Sequence, residues 1–377
     1  MKKKIFTALG LMSGTSMDGV DLSLIKSDGD SQFTHILDNY FEFDLDLRKR
    51  LIELRNKLLT QGDLKKYSEE INEVEKKFTL FNSKIINKVL NDFDDNIDLI
   101  GFHGQTIFHN SNEKISKQIG DGHLLSQLTK KIIINNFRQQ DLMNEGEGAP
   151  LTPIFHKLLS NFFNKEYKLN FPMNIINIGG ITNITQILTD KNKIYAYDIA
   201  PGNCLIDEWI RKNSKKKFDN NGNFAKSGKV DDLILNQAID NFSIKSYKKS
   251  LDVTDFDISF AKGLSLEDGS ATLTKFSSHL IAQGIKRVNK LNNSFANTNI
   301  ICGGGRKNTF LIKSIKKNFI RDIELTDIDQ YKINGDFVES QAFGYLSIRT
   351  FLNLPISFPN TTRCKTPTVG GTIIKNF

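Results

Sequence analysis

Cysteine is scarce in this sequence. Cys204, Cys302 and Cys364 are odd in number, far apart and in no zinc spacing. That argues against a disulfide framework or a cysteine-rich metal site, and predicts a reducing compartment. Long apolar runs are missing too; none approaches the ~20 residues a membrane-spanning helix needs. The basic start, Met1 to Lys4, leads into an apolar segment too short for a secretory h-region and then into a strand pattern. The expectation is a cytoplasmic protein without membrane association. Positive charge exceeds negative by 8, but lysines and carboxylates alternate along the chain. The densest basic cluster, Arg211 to Lys217, has no interleaved aromatics and reads as a solvated loop rather than a nucleic-acid surface.

What is present is organised around residues 9–26. An apolar segment from Ile5 enters the turn Gly14-Thr15-Ser16-Met17-Asp18-Gly19, and Val20-Asp21-Leu22-Ser23-Leu24 leaves it in strict alternation. Period two predicts a strand, so the turn joins two antiparallel strands. A Walker-type loop and a dinucleotide fingerprint both open a helix, and neither fits. A strand–turn–strand loop can still bind phosphate. Gly14 and Gly19 allow positive φ and close backbone approach, Thr15 and Ser16 offer hydroxyls, and Asp18 could position a metal or water. An ordinary hairpin turn has the same composition, and this stretch alone leaves both readings open.

At 377 residues the chain is long for one core, so two domains are the default. Helical periodicity covers 45–59 and 67–90, with Val74, Phe78, Phe81, Ile85, Ile86 and Val89 on one face. Residues 97–109 read as strand, small turn, strand, and His103, His109 and His123 suit hydrogen bonding better than metal ligation. A buried strand at 132–134 precedes Arg138 and Asp141, a candidate anion clamp and a candidate general base. A local ion pair closing a loop explains the same spacing. From residue 172 the opening pattern returns: strand, Gly179-Gly180, strand, then a strand ending at Asp198, a second candidate metal or water residue. Asn203 is a plausible N-cap for a helix from Cys204. Residues 213–228 read as loop and 271–291 as helix. A buried strand then meets Gly303-Gly304-Gly305 and a helix from Thr309; the glycines suit either a nucleotide's base and ribose or a tight turn. Glu339 stands in the first turn of an apolar helix, as a favourable terminal charge or a site residue. Residues 366–372 read as a loop.

Taken together, these segments resemble the anhydro-N-acetylmuramic acid kinase family. The resemblance is carried by Met12 to Gly19, Gly104-Gln105-Thr106, Arg138 with Asp141, Gly148-Ala149-Pro150-Leu151, Asn177 to Asn183 and Pro201-Gly202-Asn203. It continues through Lys249-Ser250-Leu251-Asp252, Ala271 to Thr274, Gly303 to Asn308, Glu339 to Phe343 and Leu354 to Pro359, in the family's order. It implies two related α/β domains of the actin/hexokinase/Hsp70-like type with ATP in an interdomain cleft. They are drawn here as 1–136 and 137–354, with the tail 355–377 returning to the first. It implies a reaction in cell-wall recycling: ATP and water convert 1,6-anhydro-N-acetylmuramic acid to N-acetylmuramic acid 6-phosphate and ADP.

The resemblance also implies roles. Asp141 is the base activating water, with Glu339 orienting water or sugar. The loop Gly14, Thr15, Ser16, Met17, Asp18, Gly19, Val20 and Asp21 binds ATP phosphates, and Gly179, Gly180, Gly303, Gly304, Gly305 and Asn308 complete the ATP site. Arg138, His103 and Gln105 bind sugar, and Asp18 and Asp198 hold Mg²⁺, directly or through water. A homodimer is an expectation from the family. Met143 to Glu147 and Ile199-Ala200 depart from its usual small residues and Thr-Gly. Two other readings remain: another sugar kinase of the same superfold, or a non-catalytic sugar- or nucleotide-binding sensor.

Overall fold

The opening hairpin forms as its alternation requires. In the computed structural model, which describes residues 3–190, 193–242, 250–251, 253–320 and 323–377, β1 (Phe6–Ser13) pairs antiparallel with β2 (Gly19–Ser27). Lys249 and Asp252 of the family motif lie outside the described residues. Contacts group the chain into two units, Met1–Phe162 with Phe337–Phe377, and Phe163–Asp336. Residues 137–162 and 337–354 therefore fall with the first unit.

The first unit's sheet adds β3 (Phe33–Glu42), antiparallel to β2. On the other side of β1 lie β4 (Leu99–Asn110) and β6 (Ile132–Asn135), both parallel, while β5 (Ile115–Ile119) folds back on β4. The tail strand β12 (Thr372–Ile374) closes the edge, antiparallel to β6. The second sheet comprises β7 (Met173–Ile178), β8 (Ile181–Ile187), β9 (Ile194–Pro201), β10 (Thr298–Cys302) and β11 (Leu325–Asp327). Its order β11-β10-β7-β8-β9 reproduces β6-β4-β1-β2-β3, with the same antiparallel and parallel senses. The fold is mixed α/β with two mixed sheets, and the repeat of the opening pattern at residue 172 is a repeat of topology.

Each sheet is covered by apolar helix faces. In the first unit Leu9, Leu11, Val20, Leu22 and Leu24 pack with Val74, Phe78 and Ile86 of helix Ser68–Asp92. Helix Val338–Phe351 lies directly on the strand backbone, because Gly10 and Gly101 carry no side chain there. A Cβ on Gly10 would stand 2.0 Å from the Ser340 carbonyl oxygen, and one on Gly101 2.2 Å from that of Phe343. In the second unit Ile176, Ile178, Ile184 and Ile199 pack with Leu273, Leu280 and Ile281 of helix Leu266–Leu291, which Ser265 caps. No described helix is long and apolar enough to cross a membrane.

Four local expectations differ from what forms. Residues 97–109 contain no turn; β4 runs through, bent at Gly104 (φ 77°), its first half pairing with β1 and β6 and its second with β5. The 213–228 loop contains a short helix, Asn223–Ser227, because the Asp219 carboxylate accepts the amides of Phe224 and Ala225. Asn203 occupies the N-cap position of helix Cys204–Asn213, but its side chain makes no capping bond. The 366–372 loop ends in β12, with Thr368 bridging to Ser357.

Candidate active site

The β1–β2 turn is braced from three sides. Met17 N–H donates to the Gly14 carbonyl (3.2 Å). The positive φ falls on Met17 (52°) rather than on Gly14 or Gly19, a correction to the expected geometry. Met17 bears the strain because its side chain is buried in the core and pins the turn. Close approach is confined to Gly19, whose Cβ would meet the Phe41 carbonyl at 2.5 Å, while Gly14 faces open space. Thr15 and Ser16 are exposed, and Ser16 donates to Asp18 Oδ1 (2.6 Å). Val20 is packed in the core, so only its backbone is available to a ligand. Gln105 is buried behind the turn: its Oε1 accepts from Ser13 (2.6 Å) and its Nε2 donates to the Gly14 carbonyl (3.1 Å). Both ends of its amide thus serve the hairpin. Arg55, absent from the sequence expectations, donates to the Thr15 carbonyl (3.2 Å). Only helical periodicity marked its position. Asp21 lies opposite Tyr40 on β3, whose phenol is held protonated by burial and by the charges of Asp18, Glu42 and Asp21.

The first unit also assembles His103, Arg138, Asp141 and Glu339. Arg138 stands at the N-cap position of the short helix Gln139–Met143 and donates to His103 Nε2 through Nε (3.2 Å) and Nη2 (3.0 Å), and to the Gly148 carbonyl through Nη1 (2.8 Å). His103 Nδ1 lies 2.8 Å from the Gly104 carbonyl, which can only accept, so the ring is the neutral Nδ1–H tautomer. Burial, reinforced by the Arg138 charge, pushes this imidazole down to about 3. His103 packs at a tilt against Phe343 (ring centroids 4.5 Å apart), one turn along the helix from Glu339. Burial raises the Glu339 carboxyl above its usual range, opposed by Arg138, and no hydrogen bond to that carboxylate occurs among the described residues.

Asp141 is buried at 1% exposure. Its Oδ2 accepts the Gly148 amide (2.7 Å) and its Oδ1 the Thr362 hydroxyl (2.6 Å). Arg138 and Asp141 are therefore joined to opposite sides of Gly148, through its carbonyl and its amide. The intervening loop, Met143 to Glu147, is tied elsewhere. Asn144 Nδ2 donates to the Thr366 carbonyl (2.8 Å), its own carbonyl accepts Lys365 N–H (2.9 Å), and Glu147 accepts from Ser111 (2.7 Å).

The second unit gathers the other glycines. The carbonyls of Gly179 and Gly180 accept the amides of Asn203 and Gly202 (both 2.8 Å), clasping that turn to the end of β9. Gly303 (φ 78°) donates to the Gly335 carbonyl (2.9 Å), Gly305 abuts Ile178, and Gly304 faces open space. The buried Arg306 side chain holds this turn by pairing with Asp327 (3.1 Å), Asp329 (2.8 Å) and Asp336 (2.5 Å). Nothing in the local sequence marks that cluster. Asn308 Oδ1 caps helix Thr309–Lys317 through Leu311 N–H (3.0 Å). Asp198 Oδ2 accepts Leu251 N–H (2.9 Å).

Asp18 and Asp198 lie in different units, and no group of three or more His, Cys, Asp or Glu side chains suited to a metal occurs among the described residues. His109 bonds the Ser116 hydroxyl (2.9 Å), as expected of a hydrogen-bonding residue.

Comparison with known proteins agrees with the full motif set. The family model described as anhydro-N-acetylmuramic acid kinase matches residues 6–376. The anhydro-N-acetylmuramic acid kinase of Pelagibacter ubique (strain HTCC1062) is 51% identical over 379 residues, covering 100% of both chains. That of Agrobacterium fabrum is 34% identical over 381 residues, covering 99% of each. Solved structures with a distant likeness include the activator of the 2-hydroxyisocaproyl-CoA dehydratase from Clostridium difficile with bound ADPNP (TM-score 0.41, 10% identity, 92% of this chain and 96% of that one). Another is the ethanolamine utilization protein EutJ from Carboxydothermus hydrogenoformans (TM-score 0.40, 10% identity, 92% and 90%). By its family model and its full-length relatives, the chain belongs to the anhydro-N-acetylmuramic acid kinase family.

Proposed function

We propose that this chain turns 1,6-anhydro-N-acetylmuramic acid, ATP and water into N-acetylmuramic acid 6-phosphate and ADP, with Asp141 as the base. Water attacks the anomeric carbon and passes a proton to the Asp141 carboxylate. The bond from that carbon to the bridging oxygen breaks, and the freed O6 takes the γ-phosphoryl group while ADP leaves. The match over residues 6–376 carries the reaction. The base assignment is supported by a carboxylate held from both sides: two of its roughly four acceptor positions are used by Gly148 and Thr362, leaving others for water.

The remaining roles follow from chemistry. Arg138, fixed by His103 and Gly148, supplies an oriented cation for the lactyl carboxylate or a phosphate oxygen. Glu339, beside it and with no hydrogen bond to its carboxylate among the described residues, orients water or sugar. The exposed Thr15–Ser16 turn contacts the β- and γ-phosphates, with Gln105 as its support, and Gly303 to Gly305 flank adenosine. Mg²⁺ when bound neutralises charge on the phosphates, and Asp18 and Asp198 are the residues that would hold it, through water.

Incubation with Mg-ATP and the anhydro sugar, read by mass spectrometry, tests the reaction: the product gains the mass of water plus phosphate. A gain of phosphate alone would point to an ordinary sugar kinase, and no product to a sensor. Asp141→Asn is expected to lose turnover by at least about 100-fold while still binding ATP, and wild-type turnover in that variant would sink the base assignment.

A further inference from the structure

We propose that Thr362, in the C-terminal tail, is a positioning residue for the reaction, setting the plane and tilt of the Asp141 carboxylate. The inference rests on the reading of Asp141 as the base. Thr362 is fully buried and lies 221 residues from its partner. Its backbone is fixed on both sides: the amide donates to the Phe358 carbonyl (3.1 Å) and the carbonyl accepts Glu147 N–H (2.7 Å). The hydroxyl is therefore presented to Asp141 Oδ1 from a rigid support, at 2.6 Å. On the opposite oxygen the donor is the Gly148 amide, in the loop whose carbonyl side holds Arg138.

A hydroxyl has one proton to give. The nearby Cys364 thiol is pushed above its usual range by burial, opposed by its hydrogen bond with Thr362 and reinforced by the Asp141 charge. With both oxygens bonded, rotation of the carboxylate is stopped, and its unused lone pairs keep one direction. With Thr362 silent, only the Gly148 bond remains among the described residues, and the group can turn about it. The tail reinforces the same geometry through Asn144, bonded to the Thr366 carbonyl and to Lys365 N–H.

Thr362→Val replaces the hydroxyl by a methyl of similar size. It is expected to lower kcat about 10- to 100-fold, the cost of misaligning one reacting group, with KM for ATP unchanged. Thr362→Ser, which restores the donor, should recover most of kcat. Thr362→Ala serves as a second variant without the hydroxyl should the valine protein fail to fold. A merely structural tie would lower the melting temperature of the valine protein and leave kcat per folded molecule intact. Wild-type kcat in folded Thr362→Val or Thr362→Ala, or an equal loss in Thr362→Ser, overturns the proposal. Asp141→Asn separates the two claims. If it turns over normally the base reading fails, whereas an inactive Asp141→Asn beside a fully active Thr362→Val refutes positioning alone.

Discussion

Acidification offers a quantitative test of the bonding around Arg138, because two histidines of the first unit are held neutral. His103 and His156 are 3% and 1% exposed, and burial pushes each imidazole down to about 3. In the unfolded chain both titrate near 6.5. The folded pKa lies below the unfolded one, so the stability that depends on neutral rings is complete above about 6.5. It is lost as pH falls toward about 3. At pH 5.0 an unfolded imidazole has gained about 2 kcal/mol from protonation that a buried ring cannot share, against almost nothing at pH 7.5. Two rings give about 4 kcal/mol, a large part of the ~5–15 kcal/mol that a native protein typically has. His35 runs the other way, since Asp38 raises it and favours the fold at low pH, but it is common to every variant compared. The assay is urea denaturation at pH 7.5 and 5.0 on the wild type and on a His103→Gln/His156→Gln double variant. The double variant starts less stable and loses about 4 kcal/mol less on acidification. An equal loss in both proteins would mean that the rings protonate within the fold, and His103 would not be the acceptor that orients Arg138.

Two further outcomes are expected. Arg138→Lys keeps the charge but cannot bond His103 and Gly148 through a planar fork, so kcat/KM for the sugar should fall about 10-fold or more with little change in KM for ATP. Gly101→Ala puts a methyl 2.2 Å from the Phe343 carbonyl, over 1 Å inside ordinary contact, and neither backbone can yield cheaply. A loss of about 3 kcal/mol or more in the first unit's urea transition is expected; a neutral substitution would mean that helix Val338–Phe351 does not lie against that strand.

Much of the architecture was legible because it is written in local periods. The alternation after Gly19, the apolar faces of 45–59 and 67–90, and the return of the hairpin at Gly179-Gly180 each depend on neighbours a few residues away. The failures are also local. At 97–109, small residues imitate a turn, but pairing with β1, β5 and β6 carries the strand through Gly104. At 213–228 one buried carboxylate, Asp219, is enough to nucleate a helix in a polar stretch.

The site divides along the same line. Residue identity named Asp141, Arg138, His103 and Glu339 as chemistry-bearing, because motif order over the whole chain is a property of sequence. It could not say that His103 and Arg138 bond each other across 35 positions, or that Gln105 spends its amide on the hairpin. Nor could it place three aspartates around Arg306, or a tail threonine on Asp141. Such contacts are set by which strands become neighbours and by which glycines let a helix approach them. The sequence by itself determined the family and the repeated strand pattern, and named the candidate reactive groups. Only tertiary structure decided which of those groups are spent holding one another and which lone pairs remain for a substrate, since a hydrogen bond satisfies whatever partner the fold delivers.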